Sequence, residues 1–85
     1  MAYQVVYQPS AERQLRKLPR ALQRRILNKT DTLAIDPLPH GVEKLSGESD
    51  LWRIRIGDYR VIYHLRHKQL LVLVLKIGHR REVYR

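Results

Sequence analysis

Leu51-Trp-Arg-Ile-Arg-Ile-Gly-Asp-Tyr-Arg-Val-Ile-Tyr63 decides how this 85-residue chain folds. Trp52, Ile54 and Ile56 alternate with Arg53 and Arg55; after Gly57-Asp58, Tyr59, Val61 and Tyr63 alternate with Arg60 and Ile62. A period of two marks half-buried strands, and Gly-Asp suits a two-residue turn that needs positive φ. The stretch therefore reads as a β-hairpin in which Ile56 faces Tyr59, Arg55 faces Arg60 and Ile54 faces Val61. Two arginines then stand directly opposite each other, with Arg53 two residues along the same face. Like charges in cross-strand register destabilise a sheet. A fold gains nothing from that arrangement by itself, so the face is expected to receive a polyanion.

Working outward, the flanking segments supply a sheet and two helices. Tyr3 to Tyr7 reads as a short strand closed by Pro9, and Ser10 as the cap of a helix from about Ala11, with Glu12 in its first turn. Pro19 ends that helix. A second, from about Arg20 to Ala34, turns Leu22, Ile26, Leu33 and either Leu27 or Thr30 inward. Pro37 and Pro39 stiffen a loop to Gly41, and Val42 to Leu45 reads as a turn or short helix. Ser46 to Ser49 leads into the hairpin.

Beyond the hairpin, a turn at 67–69 precedes Leu70-Leu-Val-Leu-Val-Leu75. This unbroken apolar run reads as a central strand covered on both faces. A three-residue turn would pair Arg66 with Leu70, Tyr63 with Leu73 and Arg60 with Lys76, placing Lys76 on the face of Arg53, Arg55 and Arg60. Gly78 to Tyr84 then finishes beside that face. The expected fold is α+β, a single domain over 1–85 in which a two-helix hairpin packs on a small twisted antiparallel β-sheet.

Composition narrows the function. The net charge is +9, which favours an acidic partner, nucleic acid among them. Residues 50–85 hold nine Lys or Arg against three acids, and residues 1–49 eight against five, so basicity gathers around the hairpin and the carboxyl end. There is no cysteine, which removes thiolate metal sites, thiol nucleophiles and disulfides. The start lacks the pattern of a signal peptide and no segment is long enough to span a bilayer; a cytoplasmic location away from the membrane is expected.

The hairpin, Gly78-His-Arg-Arg-Glu-Val-Tyr84 and Lys44-Leu-Ser-Gly47, together with the two-helix amino-terminal half, resemble a RelE-type toxin of the RelE/ParE toxin–antitoxin superfamily. The resemblance covers nearly the whole chain. It implies an mRNA interferase, a ribosome-dependent endoribonuclease that cuts messages in the decoding site and is silenced by a cognate RelB-like antitoxin. Carried onto matching positions, it implies Arg53, Arg55, Arg60, Arg80 and Tyr84 as working residues. The chain departs from the pattern in having arginine where the strand pair is often lysine, and in stopping at Arg85 without the extra carboxyl-terminal helix of longer members.

Metal-free cleavage has the ribose 2′-hydroxyl attack the adjacent phosphorus, which needs a base, an acid and positive charge. Arginine holds its charge and presents a planar fork to phosphate, so the four arginines suit clamping and transition-state stabilisation. Tyr84 is the first candidate for general base and His79 the second, because these can titrate. Lys76, Arg81 and Arg85 are expected to bind RNA. No metal or cofactor is implied. Arg13, Arg16, Lys17, Arg20, Arg24, Arg25 and Lys29 read as solvated helix faces, with sequence-independent contacts to ribosomal RNA phosphates as the alternative. Two competing readings are a ParE-like inhibitor of DNA gyrase on the same fold, and a non-catalytic basic module that binds operator DNA together with its antitoxin.

Overall fold

The computed structural model describes residues 2–45 and 50–83, excluding the side chains of Glu82 and Val83. The chain runs β1 (Gln4–Tyr7), α1 (Pro9–Arg16), α2 (Arg20–Thr32), β2 (Glu43–Lys44), β3 (Leu51–Ile56), β4 (Tyr59–Arg66), β5 (Leu71–His79) and α3 (Arg80–Val83), with a 3₁₀ turn at His67–Gln69. The five strands form one sheet in the order β1-β5-β4-β3-β2. β1 lies parallel to β5, so the sheet is mixed rather than wholly antiparallel. The helical hairpin between β1 and the rest returns the chain to the same side, which makes a parallel edge pairing possible.

The hairpin adopts the expected register, Ile56 against Tyr59, Arg55 against Arg60 and Ile54 against Val61. β4 and β5 do not follow the expected pairing. Leu70 takes the left-handed conformation at φ 50°, which lengthens the connection to 67–70. Arg66 consequently pairs with Leu71, and Tyr63 with Val74. A bulge between Ile62 and Tyr63 then shifts the ladder, so that Ile62 faces Lys76 and Arg60 faces Gly78. Lys76 reaches the expected face by way of the bulge.

One face of the sheet carries Ile54, Ile56, Val61, Tyr63, Leu65, Val72, Val74 and Ile77, which pack with Ala11, Leu15, Ile26 and Leu33 from the helical side. Thr30, not Leu27, is the additional inward residue of α2; its hydroxyl is bonded to Tyr7 and to the Leu27 carbonyl. The fully buried Tyr63 donates its hydroxyl to Pro37 O at 2.6 Å and ties the proline loop to the core. On the other face Val6, Leu51, Ile62, Leu71, Leu73 and Leu75 are only half-buried. The apolar run of β5 thus marks a strand flanked by strands on both edges, with one face covered by the helices and the other left partly open.

Two local expectations change. Pro9 opens α1 with Gln8 as the capping position and no side-chain cap, because its fixed φ suits the first turn of a helix; Ser10 is inside the helix. Glu43 and Lys44 form a short edge strand against Arg53 and Trp52 rather than a turn or helix. After β5 comes one helical turn, α3, whose Arg80 N–H donates to Asp58 O at 2.9 Å and pins it to the hairpin turn. The segment 46–49, Tyr84 and Arg85 lie outside the described residues.

Candidate functional site

Cross-strand register assembles the site. Arg55 stands opposite Arg60, Arg60 opposite Gly78, Arg53 opposite Ile62 and Ile62 opposite Lys76. Arg53, Arg55, Arg60 and Lys76 therefore share the face turned away from the helices, around a centre made by Ile62 and the side-chain-free Gly78.

Arg60 is the anomaly among them. It is 6% exposed; its Nη1 donates to Gly57 O and Tyr59 O, each at 3.1 Å, while its Nε is buried with no hydrogen-bond partner. Among the described residues no carboxylate pairs with it. A guanidinium does not shed its proton in a protein, and a buried charge without a counter-ion is costly. Such an arrangement suits an anion placed beside it.

Arg53 does have an internal partner. Its Nη2 donates to Glu43 Oε2 at 2.6 Å, with the arginine side chain 15% exposed and the glutamate 52%. That hydrogen bond, then the charges of Arg53, Arg55 and Arg60, holds the Glu43 carboxyl below the usual carboxylate range. Glu43 is the residue missed in the sequence: a two-residue strand is too short to show a period, and only its pairing with Arg53 brings it to the basic face. Beside it, Lys44 Nζ lies 5.8 Å from the Trp52 ring centroid.

The remaining candidates separate. His79 pairs with Tyr59 on the helix-side face, where the two rings meet edge to face at 5.6 Å; its Nδ1 accepts from the Arg81 N–H at 3.4 Å. Register thus puts His79 on the opposite side of the sheet from the clustered arginines. Arg80 and Arg81 are exposed on α3 at the end of β5. Among the described residues no group of three His, Asp or Glu side chains converges to hold a metal ion. Among the described residues the face offers four cations against one carboxylate, which suits a phosphodiester whose charge grows during reaction.

The family model for the ParE toxin of the type II toxin–antitoxin system parDE matches residues 5–84. The toxin RelG of Mycobacterium tuberculosis is 30% identical over 86 residues, covering all of this chain and 99% of the relative. Among solved structures, the archaeal RelE–RelB complex from Pyrococcus horikoshii contains a chain 39% identical, with a TM-score of 0.83 over 94% of this chain and 97% of that one. The RelBE2 toxin–antitoxin complex of Mycobacterium tuberculosis contains one 26% identical, with a TM-score of 0.82 over 93% and 99%.

Proposed function

The chain belongs to the RelE/ParE superfamily of type II toxin–antitoxin toxins, and from that premise we propose that it is an mRNA interferase, an endoribonuclease that works on ribosome-bound message. The observation that carries this reading is Arg60, a buried guanidinium without a counter-ion among the described residues, opposed by Arg55 and flanked by Arg53 and Lys76. A scissile phosphate placed there receives a charge that no described carboxylate matches.

In the reaction the ribose 2′-hydroxyl attacks the adjacent phosphorus while the bond to the 5′ oxygen breaks and that oxygen takes a proton from an arginine-bridged water, giving a cyclic phosphate and a 5′-hydroxyl. Arg60, with Arg53 and Arg55, holds the non-bridging oxygens and stabilises the extra charge of the pentacovalent state. Arg80 closes on the phosphate from the start of α3, and Tyr84 removes the 2′ proton. The placement of His79 against Tyr59, away from the arginines, supports tyrosine ahead of histidine for that role. Lys76, Arg81 and Arg85 hold the neighbouring backbone. Among the described residues no acid–base pair stands beside the arginines, so the ribosome is assigned the task of orienting the substrate.

The partner that silences the toxin is a RelB-like antitoxin, as the RelE of Pyrococcus horikoshii is held in a complex with RelB. Expression of the chain alone arrests growth in the cytoplasm and co-expression of the antitoxin relieves it. The discriminating experiment compares cleavage of ribosome-bound and naked message. Efficient cut only on the ribosome supports the proposal; equal rates reject it. The ParE designation of the matching family model favours one second reading, inhibition of DNA gyrase, which requires loss of supercoiling with no RNA cleavage.

A further inference from the structure

The basic surface continues past the hairpin onto α2. With Ile26 and Thr30 turned into the core, Arg25, Asn28, Lys29 and Thr32 fall at helical spacings of three and four and share an outward face. Facing them across a cleft of about 430 Å³ are Arg55 and Gly57 of the hairpin. Among the described residues no acidic side chain lines this cleft. Arg25 reaches the turn so closely that a Cβ on Gly57 would lie 3.3 Å from its Nη1. Among the described residues neither Arg25, Lys29 nor Arg55 has a carboxylate partner.

The cleft also has an open mouth. β2 covers the outer edge of β3 only at Trp52 and Arg53, leaving the edge at Ile54 to Ile56 without a neighbouring strand. Arg55 belongs to both surfaces: it opposes Arg60 on the sheet and lines the cleft against α2. A further hollow of about 340 Å³, bounded by Lys29, His40, Glu43 and Arg55, runs from the same place toward the Glu43–Arg53 pair. Cations gathered at close quarters repel one another, and amide and hydroxyl groups between them supply the neutral donors that phosphate oxygens accept from.

Resting on the interferase reading, we propose that the α2–hairpin cleft is a second phosphodiester seat, which takes RNA backbone at a distance from the reacting phosphate. Arg55 joins the two seats, so the RNA runs from the sheet face around the uncovered edge of β3. The cleft contributes to binding and register, and the arginines of the sheet contribute to chemistry. The backbone has two possible sources, the message itself or ribosomal RNA.

The test replaces Arg25 and Lys29 together with Gln and compares the variant with Arg66→Gln/Lys68→Gln, which removes the same charge at the other end of the sheet. Single-turnover cleavage of ribosome-bound message is measured against toxin concentration and salt. A matching thermal melt confirms folding. The expected result is a half-saturating concentration raised ~10-fold or more and a maximum rate within about two-fold of wild type. The log–log salt slope should be shallower by about 1.4 to 1.8, because two phosphates are no longer neutralised. The distant pair moves each of these less.

Binding to vacant ribosomes and to a 2′-deoxy-blocked oligonucleotide identifies the source: weakening on vacant ribosomes assigns ribosomal RNA, and weakening on the oligonucleotide alone assigns the message. An unchanged half-saturating concentration, or an equal effect from the distant pair, overturns the proposal. So does weakening of antitoxin binding with RNA binding intact. A wild type that cleaves nothing on the ribosome refutes the interferase reading instead, and binding of the blocked oligonucleotide still tests the seat.

Discussion

Tyr63→Phe deletes one oxygen from the centre of the molecule. The ring is fully buried, and its hydroxyl donates at 2.6 Å to Pro37 O in the loop that runs toward Glu43. Loss of the bond and stranding of the half-buried carbonyl cost about 1–2 kcal/mol. For a domain of this size each kcal/mol moves Tm by roughly 4–8 °C, so a fall of about 4–15 °C is expected at neutral pH. Burial first, and the charge of Asp36 second, push the folded Tyr63 hydroxyl far above the usual tyrosine range. The unfolded tyrosine titrates near its ordinary value of about 10. A folded pKa raised in this way gives stability that is complete below pH ~10 and lost above it, at about 1.4 kcal/mol per pH unit until the folded group itself titrates. Tyr7 is also raised by burial, but it is present in both proteins and cancels from their difference. Denaturant melts of wild type and Tyr63→Phe from pH 7 to 11 should therefore show a gap that narrows above pH 10. A loss under about 2 °C, or a gap of constant size to pH 11, would refute the coupling of loop and core through this bond.

Arg55→Gln removes one of two opposed like charges, each such pair costing about 0.2–1 kcal/mol, so its Tm should rise by a few degrees while its affinity for a blocked RNA falls. Thermal melts and binding run on the same preparation check both signs together. Glu43→Gln removes a carboxylate from the basic face, so RNA affinity should increase. Because the Glu43 carboxyl is held low, its ion pair is present at neutral pH and disappears as pH falls through the depressed value, so the difference between the two proteins should vanish in acid.

The hairpin was legible because strict alternation and a Gly-Asp turn leave one register that keeps Ile54, Ile56, Val61 and Tyr63 on a common face. The next pairing was not. Nothing local in Leu70 announces a positive φ, and nothing local in the run from Leu71 announces the bulge beside Ile62. The two irregularities compensate, which is why Lys76 stands where a simpler register would also put it. The parallel partner of β1 is a non-local choice made by the helical hairpin and carries no signature in four residues. In the site, Arg53, Arg55 and Arg60 followed from spacing alone. Burial of Arg60 and the pairing of Glu43 with Arg53 required the third dimension, as did the turning of His79 toward Tyr59.

The central claim is that Arg60 is a buried charge kept for a transition-state phosphate. Its direct measurement is the single-turnover cleavage rate of ribosome-bound message at saturating toxin, for wild type, Arg60→Ala and Arg60→Lys, with Tyr84→Phe and His79→Ala alongside. Arg60→Ala should lower the rate by ~100-fold or more, comparable to loss of one oxyanion donor. Lysine should restore only part, since a point charge replaces a bidentate fork. Tyr84→Phe should fall by ~100-fold or more as a general base is lost, and His79→Ala by less. Rates for Arg60→Ala within a few-fold of wild type, in a protein that still folds and binds the ribosome, would contradict the account.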